Sequence, residues 1–150
     1  MAHFQTELPT ELIKTFEMLG ANTQRMIGEM TRAGAEVVHV NIIANAPDSF
    51  AGSDIMRCLK ITKTYKTPSD DGINTKVAFY GYFMPKKSVG QKWIAKRGHD
   101  MMAAELVCNV FEYGRSGTYF PERPFIRKSF NKRQIEAAME KVQDKYIPKE

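Results

Sequence analysis

The side chains able to do chemistry in this chain are few and scattered. Three histidines, His3, His39 and His99, and two cysteines, Cys58 and Cys108, are spread over its 150 residues. A thiolate nucleophile needs a nearby base and an electropositive, accessible setting. Cys108 with His99 is a conceivable pairing, but Cys108 lies in the apolar run LVCNVF, residues 106–111, which suits a small core thiol. Cys58 also lies in an apolar pattern, and the two cysteines form neither a CxxC pair nor a zinc-type set. Glu105 and Glu112 make no acid/base pair, since Glu105 is expected to face solvent. Phosphate-loop, dinucleotide, zinc-protease and serine-elbow motifs are all missing from the sequence. The expectation is a protein without catalysis, metal or cofactor.

Charge offers a different chemistry. Residues 84–100, MPKKSVGQKWIAKRGHD, carry Lys86, Lys87, Lys92, Lys96 and Arg97 around Trp93, with a single acid. Such a stretch reads as a long, exposed basic loop, and loops of that length are usually either functional or disordered. Its cations could meet phosphates while Trp93, with Tyr80 and Tyr82 near the loop's base, stacks on bases. The simpler reading is a solvated loop whose Trp93 anchors it to the body or to a neighbouring subunit. The formal charge of +5 and pI near 9.2 permit contact with nucleic acid or an acidic protein, and equally serve solubility.

The elements that must position these groups follow from hydrophobic period. Leu12, Phe16, Leu19, Met26, Met30, Ala33, Val37 and Val40 recur at three-, four- and seven-residue steps, the stripe of an amphipathic helix. Glu7, Pro9 and Glu11 suit its start and Pro47 its end, so a helix is expected from Leu8 to Asn45, with Gly20, Gly28 and Gly34 as points of a bend or a break. Leu59, Ile61 and Tyr65 then alternate with Lys60, Thr62 and Thr64. Val77, Phe79 and Phe83 alternate with Ala78, Tyr80 and Tyr82. The two segments, joined through Asp71-Gly72, predict an antiparallel hairpin, with Gly81 marking a bulge or a close backbone approach. Met101, Met102, Leu106, Val107, Val110 and Phe111 predict a short buried helix or strand. Ile135, Ala138, Met139, Val142 and Tyr146 form one face of a final helix. This is one α+β domain over residues 1–150: a long N-terminal and a C-terminal helix on a small antiparallel sheet containing a hairpin. No apolar run approaches the roughly 20 residues of a membrane span. The acidic N-terminus lacks the marks of a signal peptide, so cytosolic synthesis and assembly are expected.

Between the last two elements lies EYGRSGTYFPERPFIRKSF, residues 112–130. Gly114 and Gly117 permit a reversal, and Pro121 and Pro124 stiffen the return. Phe125 can dock as an apolar anchor, with Pro124 in the first turn of a helix carrying Ile126 and Phe130. Arg123 either pairs with Glu112 or Glu122 or stays in solvent.

Glu112-Tyr113-Gly114, followed by Pro121, Arg123-Pro124-Phe125 and Ser129-Phe130, resembles the signature of the tail-completion, or neck, proteins of long-tailed bacteriophages. Upstream, Ala44-Asn45-Ala46-Pro47 at the end of the long helix and Ala51-Gly52-Ser53 before the first strand are similar to the family's pattern, so the resemblance covers roughly residues 12–146. It implies a structural virion protein without catalysis: a ring-forming subunit, typically one of six, joining the head connector to the tail. The implied partners are other copies of the chain, connector or stopper proteins, and tail terminator or tube proteins. Genomic DNA would pass through the channel, with the Lys-rich loop facing it or an acidic surface of the next ring. The resemblance implies location in the virion neck or tail after assembly in the host cytoplasm, with no membrane. A tail terminator capping the tube is a related alternative, and a small nucleic-acid-binding protein using the basic loop is another.

Overall fold

The computed structural model describes residues 10–51, 53–69, 72–85, 101–117 and 119–146. The chain is α+β. Helix α1 spans Thr10–Asn45 without a break, 36 residues or about 54 Å at 1.5 Å per residue. The three glycines within it neither end nor interrupt it. Pro47 terminates it, and the Pro47 carbonyl accepts the first bond of a 3-10 turn, Asp48–Phe50, which buries Phe50. A second 3-10 turn, Asp54–Cys58, buries Ile55 and leads into the strands.

Among the described residues, six short strands make three separate two-stranded antiparallel ladders. Strand β1 (Leu59–Ile61) pairs with β4 (Val77–Phe79), and β2 (Tyr65–Lys66) pairs with β3 (Ile73–Asn74). The predicted hairpin is thus present, but it contains an irregularity. Between Ile61↔Val77 and Tyr65↔Asn74, three residues on one strand face two on the other. There the Thr62 hydroxyl accepts the Lys76 N–H, while Thr62 N–H donates to Lys76 O, as at a bulge. The alternation survives: Leu59 and Phe79 are buried while Lys60 and Tyr80 are exposed.

Gly81 marks where the strand changes partner. Strand β5 (Tyr82–Phe83) pairs with β6 (Met102–Ala103), beyond the segment 86–100. Gly81 has φ of +93° with nothing near its would-be side chain, so the demand there is a left-handed backbone rather than a close approach. Helix α2 (Ala104–Tyr113) follows β6 directly, so the apolar run 101–111 is strand and helix in succession. Its inward face is Ala104, Cys108 and Glu112, flanked by Val107 and Phe111. Met101 and Leu106, expected in the core, are exposed, because a helix starting at 104 turns position 106 away.

The final helix, α3 (Lys132–Gln143), lies antiparallel to α1. Asn41 on α1 meets Gln134, and closer to the N-terminus of α1 a methyl group on Gly34 would stand only 3.1 Å from Ile135 Cγ2. The predicted apolar face of α3 is inward, with Val142 buried and Ile135, Ala138 and Met139 half-buried. The buried line of α1 differs from the expected stripe. Ala35, Val38 and Ile42 are buried, whereas Val40 is 62% exposed. One helix here serves two neighbours, the strands and α3, so its contact face is broad and centred between them. The core joins α1, the 3-10 turns, β1, β4, β5, α2 and Phe125. Among the described residues no helix is long and apolar enough to cross a membrane.

Candidate functional site

The corner after α2 is built around a buried carboxylate. Glu112, 2% exposed, takes a place on the inward face of α2 that an apolar residue would ordinarily hold. Gly114 ends the helix with φ of +73°, its N–H donating to Val110 O. A methyl there would stand 2.8 Å from Phe120 O, so the returning chain closes on a position that only glycine fits. Arg115 and Phe120 bridge, and Arg123 N–H donates to Phe111 O at 2.7 Å. These bonds bring residues 125–127 back over the end of α2.

There three consecutive backbone N–H groups converge on Glu112. Phe125 and Ile126 donate to Oε2 at 2.9 and 3.0 Å, and Arg127 donates to Oε1 at 2.9 Å. The Arg127 side chain adds Nε to Oε1 at 2.9 Å and Nη2 to the Glu112 carbonyl at 2.8 Å. Successive N–H groups pointing one way form a concave anion cradle, and the chain supplies its own anion. Pro124, which has no N–H, marks where the donors begin. Burial pushes the Glu112 carboxyl upward. The N–H groups of Arg127, Ile126 and Phe125 with the Arg127 guanidinium outweigh it and hold the group below the usual carboxylate range.

The turn that follows, Arg127–Ser129, is held from the other side by α1. Ser129, fully buried, donates to Phe125 O at 2.6 Å and accepts from Asn45 Nδ2 at 3.1 Å. Asn41 Nδ2 donates both to Ser129 O and to Gln134 Oε1. Beneath the turn Phe125 packs edge-on against Phe50 and Phe79, and Phe111 against Phe50 and Phe120.

Of the residues singled out by the motif, Glu112, Gly114, Pro124 and Phe125 therefore meet in one lock. Tyr113 is exposed, with the Arg127 guanidinium 5.2 Å from its ring centre, and Pro121 is exposed. Of the two alternatives for Arg123, the pairing with Glu112 or Glu122 is not formed among the described residues, and Arg123 is exposed. Arg127 bonds both Glu112 and Glu122, while Arg123 stands over the Phe120 ring. The expected helix at Pro124 is also replaced: residues 127–129 make a 3-10 turn, Phe130 is exposed, and α3 begins only after the Asn131 cap. Arg127, Asn41 and Asn45 are the members of the lock that sequence reasoning missed. Lys86, Lys87, Lys92, Trp93, Lys96 and Arg97 lie outside the described residues, as do His3 and His99.

Cys108 is buried, and desolvation, with the nearby Cys58, Glu112 and Glu105, pushes its thiol up to about 12. It stays protonated at neutral pH, the state that does not attack. No cluster of three or more metal-binding side chains occurs among the described residues. The chain matches no protein-family model, no curated protein and no solved structure.

Proposed function

We propose that the chain is a structural subunit of a tailed-phage virion, a ring-forming neck or tail-completion protein that joins the head connector to the tail. The observation that carries this reading is α1. Its described side chains from Glu17 to Arg25 are all exposed, on every side of the helix, so its outer portion adds little to the fold of its own chain. An element of that length gains its use against another molecule. Near the other end of α1, roughly 35 Å along the axis from Gly20 to Ile43, a groove of about 440 Å³ is lined by Ile43, Met56 and Leu59, with His39, Asp48 and Arg57 also on its wall. A protruding arm at one end and a mainly apolar groove at the other suit head-to-tail contacts, which make a ring when the rotation between copies closes. The corner lock supports the same reading. The acid of the resemblance motif holds backbone in place and is unavailable as a general acid or base.

The test is the mass of the purified protein by light scattering over a concentration series, followed by addition of particles that lack tails. A ring, or a monomer that becomes stably bound to tailless particles, is the expected result. A monomer at every concentration that ignores those particles would overturn the reading.

A further inference from the structure

We propose that residues 1–9 of a second copy of this chain add to the free edge of β1 as an extended strand, beside the groove near Ile43. This rests on the head-to-tail reading above and names the two parts that meet. Thr62 N–H donates to Lys76 O, and Tyr80 N–H donates to Cys58 O. Bonded pairs alternate along an antiparallel ladder, so with Lys60 opposite Ala78 the bonds toward β4 fall at residues 58, 60 and 62. Leu59 and Ile61 therefore turn their backbone groups to the other edge. Leu59 N–H is taken by Met56 O in the preceding 3-10 turn. The Leu59 carbonyl and the Ile61 N–H and carbonyl have no hydrogen-bond partner among the described residues. The far edge of β4 is less open, since α2 stands beside it and Cys108 lines one cavity with Val77 and Phe79. At β1 the edge leads into the groove, because Leu59 belongs to both, and Ile43 on the groove's wall is half exposed.

The edge selects its occupant by main-chain chemistry. Unpaired donors and acceptors along a strand are matched by another extended chain, whereas a helix has spent its own groups on itself and a small ligand lacks the repeat. Residues 2–8, AHFQTEL, alternate as a half-buried strand does, with Ala2, Phe4, Thr6 and Leu8 on one side and His3, Gln5 and Glu7 on the other. Pro9, which has no N–H, ends that pattern just before α1 begins at Thr10. The apolar side suits Ile43, Met56 and Leu59 in the groove. The polar side puts Glu7 on the face of Lys60, which is exposed and in no ion pair among the described residues. Reach decides which copy supplies the strand. From Thr10 to His39, the nearest part of the groove on α1, the unbroken helix measures about 44 Å, whereas nine extended residues span at most about 32 Å. A chain cannot fill its own groove, so the strand comes from a neighbour.

The experiment is fluorescence anisotropy of a labelled synthetic peptide, residues 1–9, titrated with the chain lacking those residues, whose groove no neighbour can fill. The shortened chain is expected to keep the circular dichroism and thermal midpoint of a folded body, since the buried core begins at Ala35. Saturable binding is expected, and Ile43→Asp in the receiving chain should abolish it. Methylating backbone nitrogens separates strand pairing from apolar contact. Methyl groups on the nitrogens of His3 and Gln5 point to one edge of an added strand, and those on Phe4 and Thr6 to the other. One of the two methylated peptides should bind at least about tenfold more weakly, the worth of one net hydrogen bond, and the other within about twofold of the parent. No saturable binding, binding indifferent to Ile43→Asp, equal loss from both methylated peptides, or loss from neither overturns the proposal. Light scattering of the full chain keeps the two readings apart. A ring that survives removal of residues 1–9 overturns the strand and leaves the ring. A full chain that never self-associates and ignores tailless particles overturns the ring whatever the peptide does.

Discussion

Glu112 carries a charge into the protein and is tolerated because four donors wait for it. An unpaired buried carboxylate would cost several kcal/mol, and removal of one partner leaves that cost exposed. Glu112→Gln keeps the shape but turns one accepting oxygen into a donor aimed at N–H groups. The expected loss is about 3 kcal/mol, read as a lower urea midpoint with unchanged slope. The sign of the acid response follows from the depressed carboxyl. The unfolded chain takes up the proton first, near the ordinary value of 4.5. The stabilisation is therefore complete above that pH and is lost as pH falls through the lower folded value. Wild type should lose stability on acidification below about pH 4.5 more steeply than Glu112→Gln. Parallel pH profiles would show that the carboxylate is not what holds the corner. Phe125, 2% exposed amid three other buried phenylalanines, is the apolar half of the same lock. Phe125→Ala is expected to cost about 3 to 5 kcal/mol in the same denaturation assay. A loss under about 1 kcal/mol would mean that the corner does not rest on this ring.

At the scale of elements, two glycines of one helix separate propensity from packing. Gly20 has nothing within 4 Å of where a side chain would begin, so Gly20→Ala should stabilise α1 by about 1 kcal/mol through helix propensity alone. Gly34 faces Ile135 and Met139 at the crossing with α3, so Gly34→Leu should force the helices apart despite the same propensity gain. Amide exchange would read the difference: slower along residues 17–24 in the first variant, faster along 132–143 in the second. The helices and the hairpin were legible in the sequence because period reports which face is buried. Val40 misled because α1 answers to two neighbours, and a single stripe describes only one. The corner was half legible. Glycine, proline and phenylalanine reveal a turn and an anchor by their own stereochemistry. The partner of Glu112 was hidden because it is mainly backbone, 13 to 15 residues on, and backbone donors have no letter in the sequence. Arginines flank Pro124-Phe125 on both sides, and local charge cannot choose between them. The bond from Arg123 N–H to Phe111 O helps fix the return of the chain, and in that return it is Arg127 that reaches Glu112.

For the whole molecule, the unequal burial of α1 divides the chain into a body and an arm. The body contains the core from Ala35 onward, α3 against α1, and the lock that ties α2 to both. The arm, up to about Arg25, is a continuation of α1 whose described side chains are exposed. If the arm served the fold, removing it would uncover apolar core and lower stability; if it serves a neighbour, stability and assembly should separate. Deletion of residues 1–22 is expected to change unfolding free energy by less than about 0.5 kcal/mol, the range of surface changes that touch no core. The same deletion should abolish ring formation or docking to tailless particles, because the groove near Ile43 would have no arm to receive. Mixing supplies the directional control. In a head-to-tail ring each subunit gives an arm and receives one, so a truncated chain keeps a receiving groove and should cap growth when added to the full chain. Wild-type assembly in a tenfold excess of truncated chain would show that the arm is not the contact, and a collapse in the truncated chain's stability would show that it belongs to the body.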